Sequence, residues 1–186
     1  GVKFYGALLD ALEKVGRYRP GDIRNPRPVD TLFVYAYDWR RDIAESAAGL
    51  GIAIRQIKSS LNRPDLKFDI VAHSMGGLVA RSAASYASEH HLPWVAYLRH
   101  VACVGAPNLG APLEKAVHLL TGVLRKVDAA GAQVPARILN SRSAGVKDLR
   151  YGYTVDEEWL GKDPDAVFAN ARLDIPLIDG VGYYFF

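Results

Sequence analysis

Apolar residues recur every three to four positions in some stretches of the chain and run unbroken in others, and the two patterns alternate. Over 3–15, Phe4, Leu8, Leu12 and Val15 fall on one helical face, and Gly16 supplies a stop. A stretch rich in proline, glycine and arginine over 17–30 predicts a loop. The apolar, β-branched and aromatic run over 31–37 predicts a buried strand. Residues 41–61 carry the clearest helical stripe: Ile43, Ala47, Leu50, Ile54, Ile57 and Leu61. Asp42 and Glu45 stand in its first turn and Lys58 in its last, as the helix dipole favours, and Asn62 and Pro64 end it.

A second strand pattern, Phe68-Asp69-Ile70-Val71-Ala72-His73, stops at Ser74, and Met75-Gly76-Gly77-Leu78 opens a helix. A strand over 98–104 follows, closed by Gly105-Ala106-Pro107-Asn108-Leu109-Gly110. Residues 112–128 have a helical stripe of Leu113, Val117, Leu120, Leu124 and Val127; 129–172 is irregular; and 175–181 predicts a final strand. Strands alternating with helices imply an α/β domain with a mostly parallel sheet and helices on both faces. Ligands of such sheets sit at the carboxyl ends of the strands. Ser74, the Asp38-Trp39-Arg40 turn and the 105–110 loop all follow strand ends, so they are expected on one rim.

The strand–serine–helix stretch has the layout of a nucleophile elbow. Ala72 and Gly76 flank Ser74 two residues away on either side, in the pattern A-x-S-x-G rather than G-x-S-x-G. Small residues there let strand and helix approach closely, and Gly77 thins the first turn further. The helix N-terminus aims free N–H groups and a positive dipole end at the serine, which makes Ser74 the candidate nucleophile and the Met75 N–H the candidate oxyanion donor.

Composition narrows the field. The chain has 186 residues, 49% of them hydrophobic, enough for one domain with a sizeable core. A net charge of +3 without a basic cluster gives nucleic-acid binding no support. Cys103 is the single cysteine and lies in an apolar run, so it reads as a small core residue. No stretch has the length and apolarity of a membrane span, and no signal peptide is visible. No metal or cofactor motif stands out.

Three segments occur in order: Tyr37-Asp38-Trp39-Arg40, Ala72-His73-Ser74-Met75-Gly76-Gly77, and Gly105-Ala106-Pro107-Asn108-Leu109-Gly110. This set resembles the lecithin:cholesterol acyltransferase-like branch of the α/β-hydrolases, from about residue 5 to the end. Asp148-Leu149-Arg150 and Gly180-Val181-Gly182 resemble later segments of that branch. The resemblance implies a three-layer αβα hydrolase fold, incomplete at both ends, with a lid or cap segment at about 111–172. It implies a serine nucleophile that takes an acyl group from a lipid ester and passes it to water or another hydroxyl, with transient contact to a lipid surface. Ser74 and Met75 then have the roles given above. Asp38, Trp39 and Arg40 gain no catalytic role and are expected as a buried ion pair and an aromatic plug.

Such a serine needs a histidine to take its proton and a carboxylate to orient that histidine. His73 precedes Ser74 on the strand and points to the other face; His90 and His91 end a helix; His100 opens a strand; His118 lies in the lid region. Asp174 and Asp179 flank the last predicted strand and precede the branch's acid position. The triad acid and histidine are therefore expected beyond Phe186, with the chain a central fragment or a degenerate homologue. Two other functions stay open: a non-catalytic lipid- or protein-binding module on the same fold, and a serine amidase or peptidase.

Overall fold

The computed structural model describes residues 2–111, 115–116, 119, 143–163 and 171–186. Their contacts form two compact units, Gly1–Ala36 with Ile52–Leu66, and Tyr37–Gly51 with Lys67–Phe186.

The first unit holds helix α1 (Val2–Lys14) and a two-stranded parallel ladder, β1 (Pro20–Gly21) beside β2 (Leu32–Phe33). The strand expected over 31–37 is thus only two residues long. Its partner explains this: Pro20 has no N–H to give a ladder, and after Gly21 the chain turns back through an Asp22–Asn25 bridge. Val34 is left exposed. The buried Asp30 fastens the intervening loop, accepting the Arg27 backbone N–H at 2.8 Å and the Arg27 guanidinium at 3.0–3.4 Å. Leu8 on α1 and Val15 just past its end are exposed, so the predicted apolar face is not buried at those positions.

Helix α2 (Ile43–Leu61) contributes its first half to the second unit and its second half to the first. Its predicted stripe holds: Ile43, Ala47, Ile54 and Leu61 are buried, and Leu50 and Ile57 half-buried. It begins two residues later than the sequence implies because Asp42 is its cap, with Asp42 Oδ1 accepting the Glu45 N–H at 2.6 Å.

The second unit is built on a parallel sheet in the order β3 (Phe68–His73), β4 (Leu98–Val104), β5 (Gly182–Phe185). Helix α3 (Met75–Glu89) packs on β3 and β4. Its contact face is small and apolar, with Gly77, Ala80, Ala83, Ala84 and Ala87 interleaved with the buried Leu78 and Val79. The short helix α4 (Ala144–Asp148) and 3-10 turns at Pro93–Tyr97 and Asp156–Glu158 complete the described elements. The last strand is displaced from the expected 175–181. Pro176 cannot donate to a ladder, an Asp179-Gly180 turn with Gly180 at φ 79° redirects the chain, and the aromatic run after Gly182 pairs instead.

An α/β architecture with an all-parallel sheet is therefore present. Among the described residues the sheet has three strands in this unit. The face bearing Ala72, Val101 and Cys103 is buried, whereas Asp69, Val71 and His73 on the other are exposed, so cover on both faces is not seen there. The helix expected over 112–128 and most of the expected lid lie outside the described residues.

Close approach falls at Gly77 rather than Gly76. A methyl on Gly77 would sit 2.5 Å from the Ala106 Cβ and 3.4 Å from the Cys103 Sγ, whereas one on Gly76 would meet Ala72 and the Tyr37 hydroxyl at an ordinary 3.8 Å. Alanine gains about 1 kcal/mol of helix propensity over glycine, but overpacking of this kind costs about 1–3 kcal/mol. Gly77→Ala is therefore expected to lower unfolding free energy and Gly76→Ala to leave it unchanged or raise it, as read from paired urea denaturation curves.

Candidate active site

Ser74 joins the carboxyl end of β3 to the first residue of α3. Its backbone stands at φ 52° and ψ −129°, a region that a residue with a Cβ occupies only under strain. Two hydrogen bonds hold it there: the Ser74 N–H donates to the Val104 carbonyl at 2.8 Å, and the Gly77 N–H donates to the Ser74 carbonyl at 2.9 Å. Its side chain makes no capping bond to α3, so the hydroxyl is not consumed by the helix it begins. Met75 is the first helical residue, where an N–H has no acceptor within the helix. This is the geometry an elbow needs.

The rim expected from the sequence assembles around it. Val104 pairs with His73, so the 105–110 loop leaves the sheet at the same end as Ser74. Ala106 sits against Gly77. The loop is braced from both sides: Arg81 donates to Asn108 Oδ1 at 2.8 Å, and Arg172 donates to the Asn108 carbonyl at 2.9 Å. Gly110, at φ 87°, lies so close to the Arg150 carbonyl that no side chain would fit. The Tyr37 hydroxyl approaches Gly76 from the other side.

Two expectations fail in that turn. The Asp38–Arg40 pair forms, bidentate at 2.8 Å for both bonds, but it is not buried: Arg40 is exposed and Asp38 half-buried. The Arg40 guanidinium and backbone N–H bonds hold the Asp38 carboxyl down to about 2. Trp39 is 58% exposed and plugs nothing. The sequence of the turn specified a local ion pair, and the pair is compatible with either environment.

His73, His90 and His91 lie where the sequence implied, whereas His100 is the third residue of β4 rather than its first. His73 is exposed on the open sheet face; the His90 ring stacks on Tyr86 at the far end of α3; His91 follows it. His100 Nδ1 lies 2.8 Å from Asp69 Oδ1, and His100 precedes Val104 by four strand residues, about 13 Å from the serine end. Burial pushes the Asp69 carboxyl up, but its bonds to Arg99 and His100 outweigh this and leave it lowered. His118 lies outside the described residues. Asp174 is exposed and pairs with Arg172 at 3.2 Å, and Asp179 sits in an exposed turn. Among the described residues no group of three or more His, Cys, Asp and Glu side chains clusters as a metal site would require.

One carboxylate had drawn notice in the sequence only as part of the Asp148-Leu149-Arg150 segment, with no role attached. Asp148, 3% exposed, ends α4 and accepts the Ile43 N–H on Oδ2 at 2.9 Å and the Trp159 indole N–H on Oδ1 at 2.5 Å. It borders a small cavity that Asp42, Thr154, Val155 and Asp156 also line. Nearby, the fully buried Glu158 takes three backbone N–H groups, those of Thr154, Val155 and Leu173, at 2.5–3.0 Å. Aspartate is usually a surface residue, so nothing in the pattern over 129–172 marked Asp148 as buried.

A family model described as a domain of unknown function, DUF7379, matches residues 36–147. The chain belongs to that family. The match spans the 37–41 turn, the Ser74 elbow, the 105–110 loop and most of α4. Among solved structures the chain is similar to the Bacillus licheniformis lipase BlEst2 in its mature form, at 21% identity and a TM-score of 0.44. That match covers 82% of this chain and 50% of the lipase, so this chain spans about half its length. No curated protein matches.

The environment of Asp148 gives a pH signature. Burial pushes its carboxyl up to about 6, with the Asp42 and Glu158 charges adding, against the opposing pull of its bonds from Trp159 and Ile43. A carboxyl with a raised folded pKa holds its proton more tightly in the fold. Its contribution is fully present below about pH 4 and is lost as pH rises through about 6, on the order of 3 kcal/mol at most. The difference in melting temperature, wild type minus Asp148→Asn, is expected to shrink as pH rises from 4 to 7. A difference that stays flat over that range would remove Asp148 as the titrating group.

Proposed function

We propose that this domain is a serine-nucleophile acyl-ester hydrolase or O-acyltransferase that acts on lipid esters through an acyl-enzyme on Ser74. The observation that carries the proposal is the backbone of Ser74 at φ 52°, ψ −129°, at the carboxyl end of a parallel strand and the start of a helix. Strain of that kind costs of order 1–3 kcal/mol and persists where the surrounding fold over-determines it, which is characteristic of working sites.

The chemistry follows from that placement. The Ser74 Oγ attacks the ester carbonyl, the negative charge developing on the carbonyl oxygen is met by the Met75 N–H, and the alcohol leaves with a proton. Water or a second hydroxyl then takes the acyl group from Ser74 Oγ. Each oxyanion donor of this type is worth about 10²–10³ in rate. The base that receives the Ser74 proton, and its orienting acid, belong to residues outside those described.

The lipid character of the ester rests on the resemblance of the three ordered motifs to the lecithin:cholesterol acyltransferase-like branch. The exposed Trp39 and Leu109, flanking the rim in sequence, agree with an apolar substrate.

A fluorophosphonate probe distinguishes this function from a non-catalytic module. The full-length protein is expected to be labelled on Ser74, and Ser74→Ala is expected to abolish labelling. A folded wild-type protein that takes no label on Ser74 would sink the proposal. Turnover of a long-chain acyl ester well above that of the matching anilide is expected to separate an esterase from an amidase.

A further inference from the structure

We propose that Asp148 is a positioning residue for the Ser74 reaction: by tying α4 to the start of α2 and to Trp159, it holds the backing of the oxyanion turn in place. The inference rests on the function proposed above and adds a residue to it.

The chain of contacts is short. Asp148 joins three segments with one carboxylate, through the Ile43 N–H and the Trp159 indole N–H. Three residues earlier on the same single-turn helix, the Gly145 N–H donates to the Arg40 carbonyl at 3.2 Å. Gly145 has no room for a side chain. A Cβ there would lie 2.2 Å from the Arg41 carbonyl oxygen, 2.4 Å from that of Trp39 and 3.0 Å from the Met75 methyl. Helix α4 is therefore pressed against both the 39–41 turn and the buried side chain of Met75, the residue whose N–H is the oxyanion donor.

A five-residue helix has little stability of its own, so its position depends on its anchors. Asp148 is the anchor at its end. Two N–H groups, of Ile43 and of the Trp159 indole, need an acceptor at that point, and a buried donor left unsatisfied costs about 1–3 kcal/mol. Asparagine in place of Asp148 keeps one acceptor oxygen and turns an NH₂ toward the other donor. Phenylalanine in place of Trp159 removes the indole donor while keeping an aromatic ring beside Tyr153, whose ring lies 4.7 Å from that of Trp159. Neither position touches Ser74 or Met75 in the bonds described, so an effect of both on the reaction has to travel through α4.

The measurement is the rate of phosphonylation of Ser74 in the full-length protein, resolved into the maximal labelling rate constant, the probe concentration for half-maximal rate, and the fraction of protein finally labelled. Asp148→Asn and Trp159→Phe are expected to lower the rate constant by about tenfold or more, because displacements of about 1 Å at a reacting centre cost up to about a hundredfold. The half-maximal concentration and the labelled fraction are expected to change little. A purely structural role would instead lower the labelled fraction, in step with lost native circular dichroism, and leave the rate constant of the surviving molecules at the wild-type value. That result in both variants overturns the positioning role while leaving Ser74 as nucleophile. Absence of labelling in the wild type overturns the proposed function and the positioning role with it.

Discussion

The second unit turns on one backbone constraint, the left-handed conformation of Ser74 between β3 and α3. A residue with a Cβ at φ 52° is held there against its own preference, at a cost of order 1–3 kcal/mol. The opposing forces are visible. The Ser74 N–H continues the β3–β4 ladder to the Val104 carbonyl, and α3 buries Leu78 and Val79 completely or nearly so. Burying two such side chains contributes about 1.5–3 kcal/mol each, more than the strain. The ladder fixes where the strand ends and the apolar face of α3 fixes where the helix begins. The sharp turn is what remains between them.

Close packing around that turn then dictates which residues can surround it. Gly77 is glycine because Ala106 occupies the space of a side chain, and Gly145 because two carbonyl oxygens and the Met75 methyl do. The 105–110 loop is braced by Arg81 and Arg172 at Asn108, and the 39–41 turn is backed by α4. Three segments far apart in sequence thus converge on two residues, Ser74 and Met75. The buried carboxylates serve the same end from further out: Glu158 holds the backbone N–H groups of Thr154, Val155 and Leu173, and Asp148 ties α4 to α2.

Much of this was legible in the chain because it is local. The elbow, β4 over Leu98–Val104 and the stripe of α2 each follow from side-chain period and from the residues that flank it. What was not legible depends on partners distant in sequence. The run over 31–37 has every preference for a strand, yet only Leu32 and Phe33 pair, since Pro20–Gly21 offers no longer edge. The last strand starts at Gly182 rather than ending before it, since apolar Ile175 and Leu177 flank a proline and the aromatic run beyond the turn is the better ladder. Asp38 and Arg40 were expected as a buried pair; the pair is local and forms equally with Arg40 exposed and Asp38 half-buried. The segment holding Asp148 stood out by resemblance, but not its burial or its role, because its two donors come from Ile43 and Trp159, 105 and 11 residues away.

The claim on which all else depends is that Ser74 is strained, and unfolding free energy tests it most directly. Ser74→Ala and Ser74→Gly both remove the hydroxyl, but only glycine relieves a positive φ. At an ordinary position alanine is the more stable of the two by about 0.4–1 kcal/mol, through its narrower unfolded ensemble. At Ser74 the order is expected to reverse, with Ser74→Gly the more stable by about 1 kcal/mol in denaturant titrations. If Ser74→Ala proves the more stable protein, the backbone there is relaxed and the elbow account fails.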